Sequence, residues 1–268
     1  MTVSISIEQH RIVSFLGSFQ GMKDLVLVVN DGVISGAGTC ERSFFIKKWI
    51  TLNAEEEGTE GSGNIPIGQL DLFKNLVANC GHGILKMEYD GGHIQIVGQE
   101  MSFSIPPVAD ATSQAGVEIM EELLDIQPAD PMNWEKFGQS DLTFNLRFDA
   151  DRIRLFRDVG KAIQSGALYT MIVSEGEGFT LRASRDQIVV DRTEPIGEWS
   201  NTPDDVVSMS FGKWLMDALK AMPGAGSIYL VGGDDSPLLI RHTPPEDGDE
   251  SWGTVCIVAP RQEEAGGV

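Results

Sequence analysis

Arg154, Arg157 and Lys161 stand three and four residues apart in the stretch 149–164, DADRIRLFRDVGKAIQ, with Arg152 just ahead of them. At helical spacing these cations fall on one side. Ile153, Phe156, Gly160 and Ile163 fall on roughly the opposite side, with Leu155 and Val159 at its margin. Asp149 stands where an N-cap belongs, its carboxylate able to take orphan amide protons of the first turn. Such a row of cations can hold an anion without making or breaking a bond, although a solvated helix face can carry the same residues. Its setting is unusual, because the chain has 40 acidic and 20 basic residues and a formal net charge of -20. That balance argues against a nucleic-acid partner for the molecule as a whole, since one polyanion repels another. Local charge is a separate matter: an acidic exterior can refuse nonspecific contact while one surface stays cationic. So much acid with only nine lysines also fits a salt-rich cytoplasm.

No other constellation carries chemistry. His10, His82, His93 and His242 are scattered, and none stands with Cys, Asp or Glu at a metal-ligand spacing. Cys40, Cys80 and Cys256 are odd in number and far apart, which speaks against a disulfide framework or a thiolate metal site. Gly36-Ala37-Gly38 and Gly224-Ala225-Gly226 lack the strand-to-helix context of a dinucleotide fingerprint. No Walker motif, nucleophile elbow or calcium loop is present, and in so acidic a chain a Glu-Glu pair says nothing about acid/base work. The expectation is a protein without catalytic residues, metal or cofactor.

The elements that must position the cations come in a repeated order. A chain of 268 residues, 41% apolar and 22% charged, suits two folded domains. The start MTVSISIEQHR has neither a basic nor an apolar leader region, and no run is long enough to span a bilayer, so a soluble intracellular protein is expected. Alternation predicts a strand at 3–7 and a helix at 8–19. Strands follow at 24–29 and 33–39 about the turn Asn30-Asp31-Gly32, then another at 42–52. Residues 53–63, NAEEEGTEGSG, read as a solvated acidic loop. A short strand at 64–67, a helix at 69–79 and strands at 83–89, 93–97 and 101–105 complete the half. The same order recurs as a strand at 142–148, the basic helix, strands at 169–173, 178–183, 187–191 and 206–211, a helix at 213–222, then strands at 227–231, 238–242 and 253–258. A gapless shift of 144 lays Ile67-Gly68 on Phe211-Gly212, Ile84 on Ile228, Asp90-Gly91 on Asp234-Asp235 and Ile96 on Ile240. A slightly different shift lays Arg11-Ile12 on Arg152-Ile153. This is an internal duplication. Between the halves, residues 106–140 have no counterpart and hold Val117, Ile119, Met120, Leu123, Leu124 and Ile126 among acids. Linkers are normally polar, so this apolar middle must lie on something.

The segment FGKWLMDALKAMPGAGSIYLVGGDDSPLLIRH and the closing CIVAPRQ resemble the C-terminal signature of DNA sliding clamps of the proliferating cell nuclear antigen (PCNA) type. The resemblance rests on Phe211, Lys220-Ala221, Asp235 to Leu238 and Ala259-Pro260-Arg261. RLFRDVGKAI, residues 154–163, resembles the first helix of that family's second domain. The motifs are dense only from about Leu142 onward.

The resemblance implies an α+β fold: a duplicated clamp with helices lining a ring and antiparallel sheets outside. It divides the chain into an N-terminal domain (1–106), a connecting linker (107–140), a C-terminal domain (141–262) and a flexible tail (263–268), and implies a homotrimer around double-stranded DNA. By matching, Arg11, Lys74, Arg154, Arg157, Lys161, Lys213 and Lys220 would face phosphate without reading bases. Where the family usually has a second lysine after Lys74 this chain has Val77, so the lining is richer in the second domain. Short peptides of a polymerase, the clamp loader and other replication or repair proteins would dock on Met120, Leu123, Leu124, Ile126, Pro237, Val258, Ala259 and Pro260, with the loop 38–41 beside them. Met101, Phe103 and Ile105 of one subunit would meet Ile188 and Val190 of the next through paired edge strands. The implied setting is the nucleoid of an archaeon or one of its viruses. The alternative is a β-rich protein scaffold or a checkpoint-type heterotrimer subunit that forms no homotrimer.

Overall fold

The computed structural model describes residues 2–40, 43–53, 55–108, 111–163, 167–174, 178–194, 197–203, 205–234, 236–245 and 252–261, of which 111–115 and 194 are described by their backbone. The expected tail 263–268, Glu41, Ala54, Gln164, the turn 175–177 and Asp235 lie outside the described residues. The chain forms two compact units, the first made of Met1–Cys40, Ile46–Ile119 and Asp249–Gly253, the second of Glu41–Phe45, Met120–Gly248 and Thr254–Val268.

The first unit takes its elements in the order β1 (Val3–Glu8), α1 (Gln9–Gly17), β2 (Leu25–Asn30), β3 (Val33–Cys40), β4 (Phe44–Thr51), β5 (Gly58–Glu60), β6 (Gly63–Ile67), α2 (Leu70–Ala78), β7 (Ile84–Tyr89), β8 (Ile94–Val97) and β9 (Ser102–Ile105). α3 (Ala111–Asp125), a 3-10 turn (Pro131–Asn133) and the small hairpin β10 (Lys136–Phe137) and β11 (Ser140–Asp141) follow. The second unit runs β12 (Phe144–Asp149), a 3-10 turn (Ala150–Arg152), α4 (Ile153–Ala162), β13 (Leu168–Ser174), β14 (Gly178–Arg185), β15 (Ile188–Glu194), β16 (Glu198–Asn201), β17 (Val207–Phe211), α5 (Lys213–Ala221), β18 (Ser227–Gly232), β19 (Leu238–Thr243) and β20 (Trp252–Val258).

Strand order repeats as the elements do. In the first unit it is β5-β1-β7-β8-β9 and β4-β3-β2-β6; in the second it is β16-β12-β18-β19-β20 and β15-β14-β13-β17. Pairing is antiparallel, and each unit packs its two helices on each other, α1 on α2 and α4 on α5. Alternation along the strands puts Ile5, Ile7, Leu85 and Met87 of the first unit, and Leu146, Leu181, Leu230 and Ile240 of the second, in the core. The fold is therefore α+β, as expected.

The pairing register corrects one detail of the duplication. β1 lies on β12 with Val3 on Phe144, and β6 on β17 with Ile67 on Phe211. Glu8 pairs with Ile84, however, while Asp149 pairs with Ser227, so Ile84 matches Ser227 and not Ile228. The extra residue is Gln69, which caps α2 at φ 50°, whereas Gly212 alone separates β17 from α5. A gapless shift cannot see such a single left-handed insertion.

Two further expectations change. Residues 53–63 are not wholly a solvated loop: β5 pairs with β1, and the Glu57 side chain is 1% exposed. The linker contains a helix, α3, whose Val117, Met120, Glu121 and Leu124 lie at turn spacing and are buried or half-buried, while Glu118, Ile119, Glu122 and Asp125 are exposed, as is Ile126 just past its end. Its apolar middle is one side of that helix. Val117 lines a small cavity together with Leu25, Val26, Ala37 and Pro66.

Candidate nucleic-acid interface

α4 is set by its apolar face. Ile153, Phe156 and Val159 are buried, and Phe156 meets Phe179 at 4.6 Å between ring centroids and Phe148 edge-on at 6.2 Å. Gly160 lets α5 approach, since a Cβ there would stand 2.4 Å from the Met216 Cε. Asp149 does not cap the helix with its side chain; the 3-10 turn intervenes, and Arg152 occupies the N-cap position. α5 buries Trp214, Leu215, Met216, Ala218, Leu219 and Ala221, leaving Lys213, Asp217 and Lys220 on its remaining side.

The seven cations expected to face an anion divide into two kinds. Arg154, Lys161, Lys213 and Lys220 are exposed, all in the second unit. Lys161 reaches Asp158 at 2.8 Å, Lys220 reaches Asp217 at 3.7 Å, and the Lys213 ammonium lies 3.9 Å from the Trp214 ring centroid. The other three are held by the fold. Arg157 donates Nε–H to the Leu219 carbonyl at 3.0 Å and Nη2–H to the Met222 carbonyl, and burial pushes its guanidinium below the ordinary value. Lys74 donates to the Phe19 carbonyl at 2.8 Å, and burial lowers its ammonium despite Asp71. Arg11 pairs with Glu57 and donates to the Thr51 carbonyl at 2.7 Å, while the Glu57 carboxylate also accepts from the amides of Glu8 and Asn53 at 2.9 and 2.7 Å. The exposed side of α2 is Asp71, Leu72, Asn75, Ala78 and Asn79, which carries no cation.

Of the residues expected to form a peptide groove, Met120, Leu123, Leu124, Pro237, Ala259 and Pro260 are half-buried and Ile126 is 74% exposed. Val258 is 1% exposed and pairs with Leu238, so it belongs to the strand core. Sequence reasoning missed a knot that ties residues 128–134 to β12 and β16. Trp134 Nε1–H donates to the Pro128 carbonyl at 2.8 Å, Asn145 Nδ2 to the carbonyls of Met132 and Trp134 at 3.2 and 3.1 Å, and Ser200 Oγ to Met132 at 2.6 Å. The only signal for it was a tryptophan after two prolines.

Of the expected interface residues, Phe103 packs edge-on against Phe73, Met101 and Ile105 are half-buried, Val190 is half-buried and Ile188 is 62% exposed. β9 ends one sheet and β15 another. Among the described residues no three His, Cys, Asp or Glu side chains converge as a metal site, and no helix is long and apolar enough to cross a membrane.

This architecture is the sliding-clamp fold. The chain is similar to PCNA from Thermococcus kodakaraensis, with 15% identity, 97% of this chain and 100% of that one covered, and a TM-score of 0.64. It is also similar to the PCNA2-PCNA3 complex from Sulfolobus tokodaii (15% identity, 97% and 99% covered, TM-score 0.66) and to the proliferating cellular nuclear antigen of Entamoeba histolytica (12% identity, 97% and 99% covered, TM-score 0.66). No family model and no curated protein matches the sequence.

Proposed function

We propose that the protein is a DNA sliding clamp: three copies close into a ring around duplex DNA and tether a polymerase and other replication or repair proteins to it. The observation that carries this reading is the clamp fold over 97% of the chain together with exposed cations on α4 and α5 of an otherwise acidic protein. The contact is with phosphate and independent of sequence, which lets the ring slide. Arg154, Lys161, Lys213 and Lys220 make it; Arg11, Lys74 and Arg157 hold the fold, which departs from the lining the sequence implied. The work is tethering, with no catalytic step and no cofactor. Partner peptides dock on Met120, Leu123 and Leu124 of α3 with Pro237, Ala259 and Pro260, and the setting is the nucleoid of a salt-adapted archaeon or one of its viruses. The test is retention: loaded protein should stay on nicked circular DNA and run off the same DNA once it is cut. Equal loss from both overturns the proposal.

A second reading has one observation in its favour, since one of the similar structures is a complex of two different clamp chains, PCNA2 and PCNA3. In that reading this chain is one subunit of a mixed ring. Light scattering separates the two: a stable homotrimer supports the first, and a monomer that assembles only with other chains supports the second.

A further inference from the structure

The two helices with exposed cations share a pattern that neither the duplication nor the fold requires. α4 carries Arg154, Asp158 and Lys161, and α5 carries Lys213, Asp217 and Lys220, each with a cation, an acid four residues later and a lysine three residues after that. α4 opens its unit and α5 stands late in it, so they are not each other's repeat counterparts; the counterpart of Asp217 on α2 is Lys74. In both rows the acid sits within a turn of both cations. Asp158 meets Lys161 at 2.8 Å and lies in the field of Arg154. Asp217 meets Lys220 at 3.7 Å and lies in the field of Lys213. Asp217 is held in place, its side chain only 16% exposed, whereas Lys220 is 51% exposed.

Resting on the clamp reading, we propose that Asp158 and Asp217 are built-in competitors for phosphate: each carboxylate occupies the lysine that would otherwise grip the DNA backbone. A phosphate approaching Lys161 or Lys220 must displace a carboxylate or sit beside it. Either way, fewer counterions leave the DNA than the number of lysines suggests. The outcome is a surface that retains four cations per subunit for guidance while its net charge stays low, which favours sliding over holding. Charge of this kind acts over the Debye length, about 8 Å at physiological salt, so its effect is local to these rows.

The experiment measures binding of the full-length protein to linear duplex DNA against salt, with the Asp158→Asn/Asp217→Asn pair, the Lys161→Gln/Lys220→Gln pair and all four changes combined. Circular dichroism and the assembly mass establish that each variant folds and assembles. Releasing both lysines should steepen the slope of log K against log salt by up to about 0.9 for each, which over the decade from 1 M to 0.1 M salt is up to about sixtyfold in affinity. In the native background the lysine changes should flatten the slope by well under 0.9 for each; in the Asp→Asn background they should flatten it by about 0.9 for each. A helix-stabilising role alone would move melting temperature and leave the slope fixed. Unchanged slope and affinity in the Asp→Asn pair overturn the inference alone, as does an equal loss from the lysine changes in both backgrounds. Native binding without any salt dependence overturns the clamp reading and this inference with it.

Discussion

Arg157 donates to the carbonyls of Leu219 and Met222, at the end of α5 where the last turn leaves carbonyl groups without helical donors. A cation there also meets the negative end of the helix dipole. In the sequence Arg157 cannot be told from Arg154, because both fall on the polar side of α4 and only the neighbouring helix decides which one turns inward. Arg157→Met should lower unfolding free energy by about 2 kcal/mol, read from urea titration, with little change in the salt slope of DNA binding. Arg11→Met should cost a similar amount, about 2 kcal/mol, because it leaves the buried Glu57 carboxylate unpaired, and adding Glu57→Gln should recover part of it. Asp217 gives a pH signature. Burial raises its carboxyl above the ordinary value, against the opposing pull of Lys220 and Lys213. The native state therefore favours the protonated form: the stabilisation is full below the unfolded value and is lost as pH rises through the raised folded one. Asp217→Asn should remove that decline and make the protein more stable at neutral pH, as unfolding free energy against pH will show.

At the scale of elements, the hairpins were readable because their turns state their own geometry. Asp31-Gly32, at φ 43° and 76°, is the two-residue turn that joins Asn30 to its partner Val33. The basic helix was readable because one side of it is apolar and the other charged. α3 was not, because acids flank its apolar residues on both sides and only two turns of period 3.6 separate Val117 from Leu124. Glu57 was hidden for the opposite reason, as one acid in an acidic run that happens to meet the start of α1. Gly160 stood on the apolar face in the sequence, and the structure gives the reason in its approach to Met216. Gly160→Val should part α4 from α5 and lower stability by about 1–3 kcal/mol, measured by thermal unfolding of the full chain.

At the scale of the whole molecule, the question is what covers β15. Among the described residues β14 is its only ladder partner, and Ile188 and Val189 are 62% and 56% exposed. A long apolar edge left open is a site of aggregation, so a protein that carries one must cover it. Under the clamp proposal the cover is β9 of the next subunit, which likewise ends its sheet and presents alternate exposed positions at Ser102 and Ser104. The contact is heterologous, one edge meeting a different edge, and it closes into a ring only if the rotation between copies divides a full turn. Ile188→Asp places a carboxylate in that seam, where burial without a partner costs several kcal/mol. The interface should weaken at least about a hundredfold. Light scattering at micromolar concentration should then report a monomer with native circular dichroism, and retention on circular DNA should vanish while weak binding to linear duplex persists. An Ile188→Asp protein that still assembles and stays on the circle would place the seam elsewhere on the molecule.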